Sequence, residues 1–116
     1  MEIRAGALLD VPLIVVSGDV DHFTAVALHE AALTALPDAG GRLLLDVSSC
    51  PYMDSGGLSA LLVLVRDIGH EGWLGVVGPD TNLRRMFEII GLLKDPSFLL
   101  FGTIEDARRF LTETGH

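Results

Sequence analysis

The apolar positions of the chain fall into short continuous runs, separated by segments in which apolar residues recur every three or four positions. The run from Leu13 to Gly18 predicts a strand, and the weaker pattern from Ile3 to Leu9 predicts another. The segment from Asp10 to Pro12 between them is typical of a turn, so we expect an antiparallel hairpin. From Phe23 to Leu36 the spacing predicts a helix, which Pro37 should end.

The second half of the chain continues the alternation of strands and helices. The run from Arg42 to Ser48, RLLLDVS, is typical of a strand buried on both faces, and we place it at the centre of the sheet. The later elements are a helix from about Leu58 to Gly69, a strand from Trp73 to Gly78, a helix from about Pro79 to Gly91, a strand from Ser97 to Phe101 and a short helix from Ile104 to Leu111. Strands that alternate with helices imply a mostly parallel sheet. We therefore predict one α/β domain over residues 1–116, with about five strands, an N-terminal hairpin-type strand and about four helices.

Composition and charge narrow the range of partners. The formal net charge is −8, with sixteen acids against eight bases, whereas nucleic acids and anionic membranes are bound by basic surfaces. We therefore expect no nucleic acid partner and no direct membrane contact. Cys50 is the single cysteine, so no internal disulfide can form. Together with the lack of a long apolar stretch, this favours a cytoplasmic protein.

The most informative stretch is YMDSGGLSALL, from Tyr52 to Leu62. If Gly56 or Gly57 opens the helix, Ser55 or Asp54 can cap it. The preceding strand is expected to end at Asp46, so that a loop carries Ser55 to the carboxyl edge of the sheet, where partners of open α/β folds dock. Glycine costs about 1 kcal/mol in a helix relative to alanine, and two in the first turn indicate that a second surface comes close to the backbone. Ser55 is therefore predicted to be presented at the surface.

Three longer segments extend this pattern over most of the chain: VSGDVDHFTAVALHEAAL, LLLDVSSCPYMDSGGLSALL and GVVGPDTNLRRMFEIIGLL. Together they resemble the STAS domain of bacterial anti-sigma factor antagonists. The family pattern is a strand ending in Asp, a loop that bears Phe or Tyr, then Asp-Ser, and Gly-Leu opening a helix. The resemblance spans about Leu13 to Leu111, and the Asp-Ser-x-Gly-Leu segment is its most specific part. Gly56 departs modestly, since a second Ser or a Thr is also common there.

This resemblance implies a partner switch. The unmodified protein would bind an anti-sigma factor that is also a serine kinase and so free a sigma factor; phosphorylation of Ser55 would dissolve the complex, and a serine phosphatase would reset it. ATP and magnesium belong to the kinase, so we expect no cofactor, metal ligand or catalytic residue in this chain. Gly18, Asp19 and Asp21 match the family's Gly-acid-x-Asp loop, which lies beside the serine. The predicted partner-binding residues are Gly18, Asp19, Asp21, Asp54, Ser55, Gly56, Gly57 and Leu58.

The charge of a phosphate supports this interpretation independently of the family. Phosphorylation adds a charge of about −1.5 to −2 beside Asp54, in a protein that is already acidic. A helix N-terminus stabilises such an anion by roughly 0.3–1 kcal/mol, whereas like charges brought together at an interface cost several kcal/mol. We therefore expect phosphorylation to break binding and to leave the fold intact.

Other classes of protein fit the sequence less well. A serine hydrolase would use Gly-x-Ser-x-Gly, but Met53 stands at the first glycine position, and His22 would have to act as the base. A receiver-type phosphoacceptor would use Asp46 with Asp19 or Asp21, but Lys94 precedes the last strand, whereas receivers are expected to place a lysine after it. Asp46 is interpreted instead as a structural residue that hydrogen-bonds the loop positioning Ser55. A STAS subunit that docks onto a membrane transporter is a further alternative.

Overall fold

The chain begins with the hairpin that the apolar pattern predicts. The computed structural model describes residues 1–36 and 41–114. Strand β1 (Glu2–Leu8) pairs antiparallel with β2 (Val11–Ser17), and Leu8 lies opposite Val11. The connection is therefore a two-residue turn, in which Leu9 has a φ of 54°. The predicted position of the turn, residues 10–12, is wrong, because residues 11 and 12 already belong to β2.

Helices and strands alternate through the rest of the chain. They are α1 (Thr24–Ala35), β3 (Arg42–Ser49), α2 (Ser55–Ile68), β4 (Trp73–Val77), α3 (Thr81–Ile89), β5 (Phe98–Phe101) and α4 (Ile104–Thr114). Gly91, just after α3, has a φ of 86°, which is the left-handed conformation that favours glycine at a helix C-terminus. Pro37, predicted to end α1, lies outside the described residues. Among the described helices, none combines the length and apolar character needed to cross a bilayer.

The sheet has a simple strand order that follows the chain, β1-β2-β3-β4-β5. Only the β1–β2 pair is antiparallel, and β3 is the central strand, as predicted. Receivers have the flavodoxin-like order 2-1-3-4-5, without an antiparallel first strand. The receiver-type alternative is therefore wrong at the level of topology.

Two apolar cores cover the two faces of the sheet. The larger core joins α1, α2 and α3 to one face, through buried residues such as Leu28, Leu61 and Phe87. The smaller core joins α4 to the other face through Ala107 and Leu111. All three helices that connect parallel strands therefore lie on one side, and the loops that precede them open at the same edge of the sheet.

Candidate functional site

Two loops meet at the carboxyl edge of the sheet and form the candidate site. We call residues 18–23, after β2, the acidic loop, and residues 50–54, after β3, the serine loop. The Val20 N–H donates to the carbonyl of Tyr52 at 2.9 Å, and the Asp54 N–H donates to the carbonyl of Val20 at 3.0 Å. Val20 and Met53 form a parallel bridge, and both side chains are fully buried. The two loops therefore continue the pairing of β2 with β3 and form one unit.

The serine loop is shorter than the sequence predicts. Strand β3 continues to Ser49, three residues beyond the predicted end at Asp46, because Ser49 still pairs with Ser17 after a register shift in β2. The Asp46 carboxylate accepts hydrogen bonds from the N–H and the hydroxyl of Ser48, at 2.9 and 2.7 Å. Asp46 therefore orders the end of its own strand, and its predicted hydrogen bonding to the segment that follows is present, although Ser48 belongs to β3 and not to the loop.

Asp54 is the N-cap of α2 and ties the helix to the acidic loop. One oxygen, Oδ1, accepts from the Gly57 N–H at 3.0 Å, and the other, Oδ2, accepts from the His22 N–H at 3.1 Å. The His22 imidazole Nδ1 also lies 3.6 Å from Oδ2. The Gly57 bond is the largest cause that lowers the pKa of Asp54 below its ordinary value, and the His22 contacts act in the same direction. The cap is therefore the aspartate, and the serine is free of that role.

Ser55 is the first residue of α2, and it is exposed. Within residues 1–36 and 41–114, no hydrogen bond of its hydroxyl is recorded, and the nearby His22 faces Asp54. A serine hydrolase needs a base that hydrogen-bonds the nucleophile. In the described part of the chain, the Ser55 hydroxyl lies at the surface and no base hydrogen-bonds it.

Asp21 caps α1 in the way that Asp54 caps α2. Its Oδ1 accepts from the N–H groups of Phe23 and Thr24, at 3.0 and 2.8 Å, and from the Thr24 hydroxyl. The Thr24 bonds are the main cause that lowers the pKa of Asp21 below its ordinary value. Asp21 therefore has a structural role at the start of α1. Asp19 is exposed and Gly18 has a φ of 89°; contact of these three residues with a partner stays a prediction.

The close approach of the acidic loop explains why two glycines stand in the first turn of α2. A Cβ on Gly56 would lie 2.5 Å from the His22 Cα, and a Cβ on Gly57 would lie 3.0 Å from the Val20 side chain. The close surface inferred from the glycines exists, but it is the acidic loop within the same molecule. Gly57 and Leu58 are buried, so they pack beneath the surface of the site. The other predicted partner-binding residues are at least partly exposed.

Sequence reasoning missed the part played by His22. Its backbone N–H and its ring both approach Asp54, and its ring stacks on Phe23 with the centroids 4.1 Å apart. No motif marks this residue, because its role depends on a contact across 32 positions of sequence. Cys50, by contrast, lies buried in the serine loop, and burial raises the pKa of its thiol.

An Asp54→Asn variant tests the charged cap. Because the pKa of Asp54 is lowered in the folded protein, its carboxylate contributes stability above the unfolded-state pKa, and this contribution is lost as the pH falls through the folded-state pKa. We expect the variant to be less stable than the wild type at about pH 7, and the difference to shrink towards about pH 3. Urea unfolding at the two pH values measures both differences. A difference that does not change with pH would contradict the role of the charge.

Comparison with known proteins defines the class first. The family model described as "Mlab, STAS domain" matches residues 3–100, which is most of the chain. The mixed five-stranded sheet and the serine-bearing helix start thus belong to a STAS domain.

Similar proteins then define the family within that class. The anti-sigma-F factor antagonist RsfB of Mycobacterium tuberculosis is 34% identical over 97 residues, which cover 84% of this chain and 78% of that protein. A crystal structure of an anti-sigma factor antagonist from Mycobacterium paratuberculosis has a TM-score of 0.84 and 29% identity, covering 97% of this chain and 94% of that chain. The Bacillus cell fate determinant SpoIIAA in its phosphorylated form shares the fold, with a TM-score of 0.70, 20% identity, and coverage of 91% and 96%. The chain belongs to the family of STAS-domain anti-sigma factor antagonists, so the resemblance found in the sequence is confirmed.

Proposed function

We propose that the protein is an anti-sigma factor antagonist whose binding to a kinase partner is switched off by phosphorylation of Ser55. In its unmodified form it binds an anti-sigma factor with serine kinase activity and thereby releases a sigma factor. A serine phosphatase restores the unmodified form. The protein itself catalyses no reaction, because its part is to be bound and modified.

The observation that carries this proposal is the exposed Ser55 on a rigid helix start. A kinase must bring its substrate hydroxyl to the γ-phosphate of ATP and to a catalytic carboxylate, so it needs a hydroxyl that stands clear of its own protein. Asp54 takes over the capping of α2 and fixes the helix start to the acidic loop. The backbone of Ser55 is thereby fixed by the helix start, and its hydroxyl is left available.

The named relatives support the same function. RsfB and the Mycobacterium paratuberculosis protein are described as anti-sigma factor antagonists, and SpoIIAA exists in a phosphorylated form. The acidic character of the chain adds to this, because a phosphate beside Asp54 increases an existing negative charge at the point of contact.

The test uses the anti-sigma factor kinases of the organism that makes this protein, purified at full length. Each kinase is incubated with ATP, magnesium and either wild type, Ser55→Ala or Thr81→Ala. Thr81 is the matched control, because it is also an exposed hydroxyl residue and is the first residue of α3, directly after the N-cap Asp80. We expect wild type and Thr81→Ala to bind one kinase and to gain one phosphate at residue 55, and Ser55→Ala to bind without modification. A phosphate found on another residue, or no binding to any kinase, would refute the proposal.

A further inference from the structure

An apolar groove begins beside Ser55 and runs along the seam between α1 and α2. Its volume is about 360 Å³. Small residues form the floor, including Ala25, Gly56 and Ala60, while Val26 and Val63 form the two walls. Along α1 it extends from Ala25 to Glu30, which corresponds to about 8 Å of helix, and His22 in the acidic loop lines the end near Ser55. The groove thus has room for two or three large side chains of another protein.

Exposed apolar side chains lie in this groove and in the two loops beside the serine. Val26 and Val63 line the groove, with exposed fractions of 58% and 41%, and Phe23 and Tyr52 lie in the acidic loop and the serine loop, with exposed fractions of 76% and 52%. Scattered apolar residues are normal on a protein surface, but exposed apolar residues that line a concave seam are typical of an interaction site. Neither Val26 nor Val63 is part of the Asp-Ser-x-Gly-Leu segment, so these two positions add to what that segment indicates.

The charges around the groove define the partner that fits. Glu30 lines it, and the carboxylates of Asp54 and Asp67 lie at its two ends, 3.6 and 3.5 Å from the two histidines. No lysine or arginine is among the residues that line the groove. The net charge of −8 adds a negative field over the whole molecule. A complementary surface therefore carries apolar side chains flanked by arginine or lysine.

We propose that this groove is the docking site for the anti-sigma factor kinase, and that the kinase inserts an apolar ridge with basic residues on its flanks. This inference rests on the proposed function, and it adds which surface of the protein provides the affinity for the kinase. At Ser55 itself the kinase brings nucleotide phosphates and a catalytic carboxylate, which are negative and repel a phosphoserine. The basic flanks lie along the groove, beyond the serine. The docking groove thus lies about one to three helical turns away from the site of electrostatic repulsion at Ser55.

Substitutions in the walls of the groove test the docking site. We expect Val26→Lys and Val63→Lys each to raise the Kd for the full-length kinase, and the KM for phosphorylation of Ser55, by about 10-fold or more. The kcat should stay within about twofold, because the reacting groups are untouched. Val63→Glu should lose less affinity than Val63→Lys, because its charge attracts the basic flanks. Ile89→Lys on α3 is the matched control, since Ile89 is 76% exposed and lies outside the groove, and it should bind like wild type.

The possible results separate the docking inference from the proposed function. Isothermal titration gives Kd without ATP, and initial rates give KM and kcat; thermal melting checks that each variant is folded. Equal affinities of wild type and Val63→Lys would overturn the docking site alone, as would self-association of the wild type that the lysine variants abolish while kinase binding is unchanged. A greater loss for Val63→Glu than for Val63→Lys would overturn the basic partner surface. Absence of binding by the wild type to every kinase would overturn the proposed function, and the docking site with it.

Discussion

Phosphorylated at Ser55, the protein will bind the anti-sigma factor kinase about 100-fold more weakly than the unmodified protein. Such a loss corresponds to roughly 2.8 kcal/mol of binding free energy, which is within the range for like charges brought together at an interface. The phosphate lies beside Asp54 and meets the nucleotide phosphates and the catalytic carboxylate of the kinase. Isothermal titration with protein phosphorylated to completion, with Ser55→Ala as the unmodifiable control, measures the ratio.

The same phosphate should leave the fold unchanged. It sits on the first residue of α2, where the partial positive charge of the helix N-terminus stabilises an anion by roughly 0.3–1 kcal/mol. The melting temperature should therefore stay within about 4 °C of the unmodified value. Loss of the circular dichroism of the folded protein on phosphorylation, or an unchanged Kd, would contradict the switch.

A Gly56→Ala variant will lose about 1–3 kcal/mol of stability, the usual cost of overpacking, and will melt roughly 5–15 °C lower. Alanine in an exposed helix would normally stabilise by up to about 1 kcal/mol. Here the new Cβ would lie 2.5 Å from the Cα and 3.0 Å from the N of His22. Because these are backbone atoms, the acidic loop must move, and the hydrogen bond from the His22 N–H to Asp54 is then lost. The steric cost exceeds the gain in helix propensity.

Gly6→Ala is the matched control for this prediction. Gly6 lies in β1, it is exposed, and a Cβ built on it meets nothing within 4 Å. Thermal melts of both variants should show a large loss at position 56 and little change at position 6. If His22→Gly restored the stability of Gly56→Ala, the backbone contact would not be the cause, since the His22 Cα remains in that double variant. Equal melting temperatures of Gly56→Ala and wild type would refute the clash itself.

Most of the fold could be predicted from the sequence, because its apolar pattern is strong. The consecutive residues Leu43, Leu44 and Leu45 are apolar on both faces of the strand, and this places the strand at the centre of the sheet, where β3 lies. The end of β3 was missed because Ser48 and Ser49 are polar and exposed, and the pairing of Ser49 with Ser17 of β2 extends the strand to this point. The hairpin turn was displaced because a proline near the start of a strand resembles a turn residue.

The position of Ser55 could also be predicted, but the way it is held could not. Local rules allow either Asp54 or Ser55 to cap α2, and the contact that decides between them, from the His22 N–H to Asp54, joins residues 32 apart. The glycines correctly indicated a close surface. Nothing in the sequence indicates that this surface belongs to the same chain, so Gly57 and Leu58, which are buried, were predicted to contact a partner.

The contact between the acidic loop and the serine loop also makes the candidate site dependent on completed folding. Val20 and Met53 are adjacent only after β2 and β3 have paired, with α1 packed across them. A nascent or damaged polypeptide that has not completed this step contains the same serine but lacks this arrangement of the two loops. Under the proposed function, a kinase that recognises the arrangement would therefore modify only folded molecules.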